Sequence, residues 1–394
     1  MRTLHRLLAI VALGVLLFIG GSGTLIQSID LYTLLRHAPE DDPVMMSINE
    51  GRYGPPDFEV LSAYDFTAIP LPASLDIPQS MANALQAWHQ QATEASPRFV
   101  ELRMARGVAI GQVGIGKNVQ AFDASSGSPV AGTNLSPITR TLMPPSLRQT
   151  TKQLHRFWIS HDVPGVWVEL ISGLVLWTLL ISGLIMYFKL LKARAKLKRR
   201  QLFWFAGGWW RSLHRIISVV ASVFLVLVAF SGTWLGFESV YHTFAAKPGP
   251  HVDPMAPISD IDVQQMTAAT LTSLKQAEPQ TPIKVLRVRL YGGMKQGIVV
   301  TGGPETRQLV FNTETMQPVS LTEPGYPDSG FPFGTEVHEN FKHFHAGMPF
   351  GLLARFLDLF AGLSLVFLCI SGLTMYLDMW LRRRKSGRGN FLWT

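Results

Sequence analysis

Cysteine is almost missing from this chain: among 394 residues there is one, Cys369. An intrachain disulfide is therefore excluded, as are cysteine-held iron–sulfur and zinc centres and, with no C-x-x-C-H present, covalently attached haem. A lone cysteine inside an apolar run is a small packing residue, and Cys369 is given no role. Charge is also scarce, at 16% of residues. It is nearly absent from the centres of four apolar runs, placed at 7–29, 165–189, 216–238 and 351–379. About 20 apolar residues cross ~30 Å of hydrocarbon, so each run is long enough to span a bilayer. No dinucleotide or flavin fingerprint occurs, and the loop 190–215 is too short to form such a domain. One spacing imitates a phosphate loop, Gly111 to Lys117, but Asn118 stands where Ser or Thr is required. It lies between expected strands with no helix to follow, and reads as a hairpin turn.

The basic residues sit beside the apolar runs. Arg2 and Arg6 precede the first; Lys189, Lys192, Arg194, Lys196, Lys198, Arg199, Arg200, Arg211 and Arg215 crowd the loop between the second and third. Arg382, Arg383, Arg384, Lys385 and Arg388 follow the fourth. Lys and Arg in short loops mark the cytoplasmic side, so both termini are expected there, with the tail at 380–394. The long polar segments, 30–164 and 239–350, then face outward. The formal charge of +8 is a topology signal, and nucleic acid is not an expected partner. The first run has the basic start and apolar middle of a signal peptide, but no small-residue cleavage site follows Gly20-Gly21 and the third run copies its pattern. A retained anchor is expected.

That copying runs through the chain. Arg2-Thr3-Leu4-His5-Arg6 leads to Ser22-Gly23-Thr24, and Arg211-Ser212-Leu213-His214-Arg215 leads to Ser231-Gly232-Thr233, at one offset of 209 (214 − 5 and 232 − 23). Ile181-Ser182-Gly183-Leu184 recurs as Ile370-Ser371-Gly372-Leu373 at offset 189 (370 − 181). The outward segments share a plan as well. A helix is expected from Ile77 to Glu94, with Met81, Leu85 and Trp88 on one face, and another from Val263 to Gln276. Three alternating strands follow the first (Arg98 to Met104, Val108 to Val113, Val119 to Phe122) and three the second (Ile283 to Tyr291, Gly297 to Thr301, Gln308 to Phe311). Each segment closes alike, Phe122-Asp123 with Pro129-Val130 and Phe311-Asn312 with Pro318-Val319. The Pro-rich stretches Pro39 to Pro72 and Pro248 to Pro257 read as loops. The expected fold is thus an α-helical membrane protein with four transmembrane helices from an internal duplication and two outward α+β modules.

Both opening runs place a histidine beside arginine at the mouth of a membrane-length helix. Histidines at matched depth on paired helices are what a bilayer protein needs to hold a haem or metal. By repeat position, His5 and His214 form an inner pair near the cytoplasmic face. His155 and His345 precede the second and fourth runs and form an outer pair, with His161 and His343 as alternatives. Gapless alignment at offset 189 sets His155 against Phe344, which leaves His343 and His345 both open as its counterpart. His37, His89, His242 and His251 have no repeat partner and read as surface residues. Sites at opposite faces would lie most of ~30 Å apart, so either they sit deeper or aromatics such as Trp177, Trp234 and Phe230 lie between them. One haem alone also satisfies the pattern. The plain alternative is that these histidines are interfacial anchors or helix caps.

Two carboxylates obey the repeat too, Glu169 and Asp358 (358 − 169 = 189). Ionisable groups inside spans are costly and are usually paired or functional, here as proton relays to a reduced substrate. Arg355, three residues before Asp358, is positioned for a helical ion pair. Gly173, Gly362, Gly183 and Gly372 recur at the same offset and suit close helix contact, or a porphyrin face.

The Leu-His-Arg starts, the Ser-Gly ends, the repeated outer modules, Leu154-His155-Arg156 and His345-Ala346-Gly347 together resemble the PepSY-associated transmembrane family of bacterial inner-membrane proteins. The resemblance covers nearly the whole chain. Some members look like haem-containing ferric-siderophore reductases of the ferrioxamine type. It implies one or two b-type haems held by the histidines, electrons taken from a quinol or a protein donor, and a ferric siderophore or other iron chelate as substrate. The rival expectation is a membrane-anchored binding or regulatory module without redox activity. A transporter of iron or siderophore is the other, for which only Glu169 and Asp358 hint at a polar path.

Overall fold

The first and third apolar runs form helices that begin later, and end later, than hydropathy alone places them. The computed structural model describes residues 2–49, 60–91, 96–105, 107–115, 118–130, 145–157, 164–198, 201–245, 255–303, 305–319 and 331–392. Helices α1 (Arg2–Val11) and α2 (Leu13–Leu35) part at Ala12; α7 (Trp209–Val220) and α8 (Ser222–Phe244) part at Ala221, again 209 residues on (221 − 12). The short leading helices are amphipathic, with arginines on their polar sides, while α2 and α8 are apolar all round, as spans are. The spans are therefore Leu13–Leu35 and Ser222–Phe244 instead of 7–29 and 216–238. The cause is charge neutralised within the protein. Asp30 ends the first apolar run on paper, yet Arg148 and Arg355 bind it and the helix continues past it. In α8 the carboxyl of Glu238 is instead held by hydrogen bonding with His338.

With α6 (Pro164–Lys196) and α11 (Gly351–Lys385), four helices are long and apolar enough to cross a membrane, and the chain is a multi-pass membrane protein. Helix α2 lies along α11, and α6 along α8. Both contacts are close because glycine faces threonine: a β-carbon on Gly173 would collide with Thr233 Oγ1, and one on Gly362 would stand 2.6 Å from Thr24 Oγ1. These two glycines serve helix approach. Leu16, Leu176, Leu180, Leu225 and Leu365 fill the space between the four helices.

The two polar segments each supply a set of three strands, and the two sets join. Strands β1 (Phe99–Ala105), β2 (Val108–Ile115) and β3 (Asn118–Asp123) join β5 (Ile283–Tyr291), β6 (Met294–Thr301) and β7 (Arg307–Asn312) in one antiparallel sheet, ordered β3-β2-β1-β5-β6-β7. The seam is β1–β5, with Leu102 opposite Leu286, and the short β4 (Met255–Ala256) extends it. Each half closes with the same bridge, Phe122 to Pro129 and Phe311 to Pro318. Helices α4 (Ile77–Gln91) and α9 (Asp260–Ala277) cover one face. Met81, Leu85 and Trp88 point into it against Val100, Leu102 and Val288, all buried. A buried side chain of this size contributes ~1.5–3 kcal/mol. The false phosphate loop also finds its use here: Gly111 in β2 lets α4 approach, since a β-carbon would strike Ala84. Lys117 lies outside the described residues.

The opposite face holds a buried ionic network that the sequence pattern did not single out. Glu101 accepts from Arg103 and from Arg287 Nε at 2.6 Å, and Arg103 also reaches Asp65 at 3.2 Å. Asp65 belongs to a single 3-10 turn, Ala63–Phe66, in the stretch expected to be loop; helix α3 (Pro43–Asn49) lies there too. Burial raises the cost of ionising Glu101, but the two guanidiniums outweigh it and hold the carboxyl below the usual range. Two more helices link sheet to membrane, α5 (Leu147–His155) before α6 and α10 (Thr335–His345) before α11.

Candidate cofactor site: two layers of paired histidines

Four histidines make the same contact. His5 Nδ1 lies 2.8 Å from Ser182 Oγ, His214 Nδ1 2.7 Å from Ser371 Oγ, His155 Nδ1 2.9 Å from Ser22 Oγ, and His345 Nδ1 2.9 Å from Ser231 Oγ. Each serine is the first residue of a Ser-Gly pair, and the glycine makes room for the ring. A β-carbon on Gly23 or Gly232 would stand 3.2 Å from Cε1 of His155 or His345; on Gly183 it would stand 3.4 Å from His5 Cε1, and on Gly372 3.8 Å from His214 Cε1. The Ser-Gly recurrences are thus the receptors of the histidine recurrences, helix by helix: α1 on α6, α7 on α11, α5 on α2 and α10 on α8.

The serines also fix the tautomer. A hydroxyl has one hydrogen, and each here has a backbone carbonyl one turn back: Ser22 donates to Phe18 O at 2.7 Å, Ser182 to Leu179 O at 3.2 Å, Ser231 to Leu227 O at 3.0 Å and Ser371 to Leu368 O at 3.2 Å. The hydroxyl oxygen then accepts from imidazole Nδ1–H, which leaves Nε2 as a bare lone pair. That is the ligating form of histidine, oriented by the bond that the other nitrogen makes.

The eight groups fall into two layers. In the outer one, His155 and His345 face each other with ring centroids 6.4 Å apart and planes inclined by 32°. Metal–imidazole bonds of about 2.0–2.1 Å, plus about 1.1 Å from nitrogen to ring centre, put two rings sharing one metal about 6.3 Å apart. In the inner layer, His5 and His214 line one cavity of about 450 Å³ with Gly183, Gly372, Tyr187 and Tyr376. Leucine is the commonest residue of its mostly apolar lining, which Arg2, Arg6, Arg211 and Arg215 join. An apolar slot with two neutral imidazoles and arginines in its lining matches what a flat, apolar macrocycle with anionic substituents needs. Among the described residues no cluster of three or more His, Cys, Asp or Glu side chains exists to chelate a bare metal ion.

The layers are closer together than opposite membrane faces would be. Gly173 of α6 meets Thr233 at the outer layer and Gly183 meets His5 at the inner one. Ten residues of helix rise roughly 15 Å, half the hydrocarbon thickness. The reason is the breaks at Ala12 and Ala221, which let α1 and α7 leave the line of their spans. Trp177 borders the core between the layers. Trp234 and Phe230 do not lie between them; both contact Phe341 of α10, on the sheet side.

The other sequence candidates separate clearly. His161 and His251 lie outside the described residues. His343 points away from His155, its Nε2 3.8 Å from Glu339; burial, opposed by Glu339, holds it below the ordinary histidine range. His89 pairs with Asp260 at 2.9 Å on the surface, and His242 stands beside Phe331. Arg355 does not pair with Asp358 as the three-residue spacing suggested; it goes to Asp30, together with Arg148 (Nε–Oδ1 2.6 Å). Asp358 keeps a buried Oδ2 with no hydrogen bond, against Gly347, two residues past His345. Glu169 sits where Gly236 of α8 crosses α6.

His338 was missed. Its Nδ1 lies 2.9 Å from Glu238 Oε2, and Phe331 stacks on its ring at 3.8 Å. Burial, countered by Glu339 and aided by Lys342, Arg156 and His242, pushes it down to about 4. The signal was available: shifting α5 against α10 by 190 instead of 189 aligns His155 with His345 and, at once, Arg148 with His338.

Residues 2–379 match the model of the family described as PepSY-associated TM region, and the chain belongs to that family. No curated protein matches it.

Proposed function

We propose, taking membership of that family as the premise, that this chain is a b-type haem protein that takes electrons from the membrane or its inner side and delivers them to a ferric chelate outside a bacterial inner membrane. The observation that carries the reading is the fourfold Nδ1–serine contact, which prepares four Nε2 lone pairs in two facing pairs. His155 and His345 would hold one haem and His5 and His214 the other, and bound haem supplies reversible one-electron chemistry. The protein's share is to fix the imidazoles, exclude water with the mostly apolar lining, and keep the layers roughly 15 Å apart. The basic loop and tail favour cytoplasmic termini, so the sheet faces the periplasm. The shared offsets of helix breaks, histidines, glycines and sheet bridges support descent from one duplicated unit.

The substrate in this reading is iron(III) held by hard oxygen donors, as in a siderophore, which one electron converts to the more labile iron(II). Asp358, whose unpartnered oxygen lies against Gly347 two residues past His345, and Glu169 at the equivalent place of the repeat, are the groups to hold a proton during that change. The electron donor is a quinol or a separate protein. The test is an optical spectrum of detergent-purified protein, oxidised and dithionite-reduced, with pyridine-haemochrome quantification. A sharp b-type α-band and two haems per chain are expected. Absence of haem after expression with ample haem supply would sink the proposal and leave a membrane-anchored binding module.

A further inference from the structure

The two halves differ about two helical turns beyond the outer histidine pair. In the first half Asp30 is saturated by two guanidiniums, Arg148 and Arg355. In the second, Glu238 is fully buried; its Oε2 meets His338 and the indole of Trp234 lies beside the carboxyl, with no guanidinium there among the described residues. Around it stands an aromatic wall. Trp234 stacks on Phe341 at 4.6 Å and 15°, Phe333 lies 5.0 Å from Trp234, and Phe331 covers His338. Phe333 is 57% exposed and Phe237, next to Glu238, 41%, so the wall opens to the lipid-facing surface of α8.

An interfacial aromatic belt is the ordinary explanation for such residues. A belt would serve both halves alike. At the matching positions of the first half, however, Trp234 is replaced by Leu25, Phe237 by Ser28 and Phe341 by Thr151. Among the described residues, aromatic faces, a buried carboxyl and an adjoining imidazole come together here and not at the matching positions of the first half. That set recognises a planar ring bearing hydroxyl groups. Phe341 is one helical turn from His345 on α10, and Trp234 three residues from Ser231 on α8, so such a ring would lie beside the outer layer.

We propose that the wall of α8 and α10, with Glu238 and His338, binds a membrane-soluble quinol, the electron donor of the pathway. The inference rests on the proposed function for the fate of the electrons. Oxidation of a quinol to a quinone breaks two O–H bonds and releases two electrons and two protons. The first proton passes to the Glu238 carboxyl, and the second leaves for solvent after His338 and Glu238 have relayed the first. The electrons would leave singly, to the one-electron carrier that the outer histidines hold in the proposed function; that carrier would pass the first to a ferric ion before taking the second, so one quinol reduces two iron(III) to two iron(II).

The experiment uses the full chain in detergent with an azido-benzoquinone photolabel, mapped by mass spectrometry. Label is expected on 230–241 and 331–344. An excess of a short-chain benzoquinol, or Trp234→Leu, should reduce it at least about tenfold. A second readout follows anaerobic reduction of the haem α-band by the same quinol. Glu238→Gln should slow it at least about a hundredfold, the scale of a lost general base, with dithionite-reducible haem unchanged; Leu25→Ala should have no effect. Label confined to other segments, or wild-type reduction rates in both variants, overturns the proposal. The photolabel needs no haem. A chain without haem that still labels at the wall therefore refutes the electron pathway and keeps the site, whereas a haem-loaded chain labelled elsewhere refutes the site alone.

Discussion

Replacing Ser231 by alanine tests the chemistry of the outer layer with one oxygen atom. His345 Nδ1 would lose its partner at 2.9 Å and keep only its contact with the backbone of Val228. A hydrogen bond lost in this way costs about 0.5–1.5 kcal/mol. The loss acts on the ligating conformation, so it should appear as weaker cofactor retention; removing an oriented second contact of a ligating histidine typically costs about 10–100-fold in affinity. Those figures meet at the lower end of that range, since tenfold is about 1.4 kcal/mol. The assay is transfer of haem from the purified variant to excess apomyoglobin, followed optically, with unfolding temperature measured in parallel. Ser239→Ala is the control: that serine donates to a backbone carbonyl one turn back at 2.9 Å but meets no histidine. Ser22→Ala should weaken the same haem, and the double variant should be non-additive, because both serines orient ligands of one metal. Ser231→Ala combined with Ser371→Ala should be additive, because they serve different layers. Equal haem retention by Ser231→Ala and Ser239→Ala would refute the reasoning, and so would losses that fail to sort by layer.

Four further outcomes are expected. Gly173→Ala drives a methyl into Thr233 and should cost about 1–3 kcal/mol of stability through overpacking, partly restored by Thr233→Ala; thermal unfolding in detergent measures both. Asp30→Asn leaves Arg148 and Arg355 buried without an anion, a change on the order of 3–5 kcal/mol, and limited proteolysis near α5 should accelerate. His338 falls from the ordinary 6.5 to about 4 on folding, so the unfolded chain binds the proton first; stability held above pH 6.5 should decline toward pH 4, by about 3 kcal/mol in total, and His338→Gln should flatten that part of the pH profile. Glu101 is also held below its ordinary range, by Arg103 and Arg287 against the opposing cost of burial, so its contribution is present above the unfolded value and disappears on further acidification. Glu101→Gln should remove that acid-dependent loss while lowering stability at pH 7.

Much of this was legible before any coordinates. The offset of 209 located His5 and His214 as equivalents, and the alternation of β1 to β3 and β5 to β7 fell within a few residues of the observed ends. Met81, Leu85 and Trp88 were read correctly as one face. What a linear pattern misses is partner choice across helices. Nothing local says that Arg355 prefers Asp30, 325 residues away, over Asp358 three residues on. The helix breaks at Ala12 and Ala221 carry no proline or glycine, so the repeat ran smoothly through them and gave no sign of where the leading helices end. Ser22, Ser182, Ser231 and Ser371 were seen as recurring ends but not as receptors, because the hydrogen bond joins segments 114 to 177 residues apart. His338 was lost to a one-residue shift.

The seam between β1 and β5 has a mechanical meaning. A protein that moves a solute by exposing a site first to one side and then to the other needs halves that can part and rock. Here strands from both halves are hydrogen-bonded edge to edge from Phe99–Arg289 to Arg103–Val285. On the membrane side each half's span lies along a span of the other. Rocking would have to break the ladder and both glycine–threonine contacts together. A frame clamped at both ends favours the proposed function over a transporter, since an electron needs no doorway.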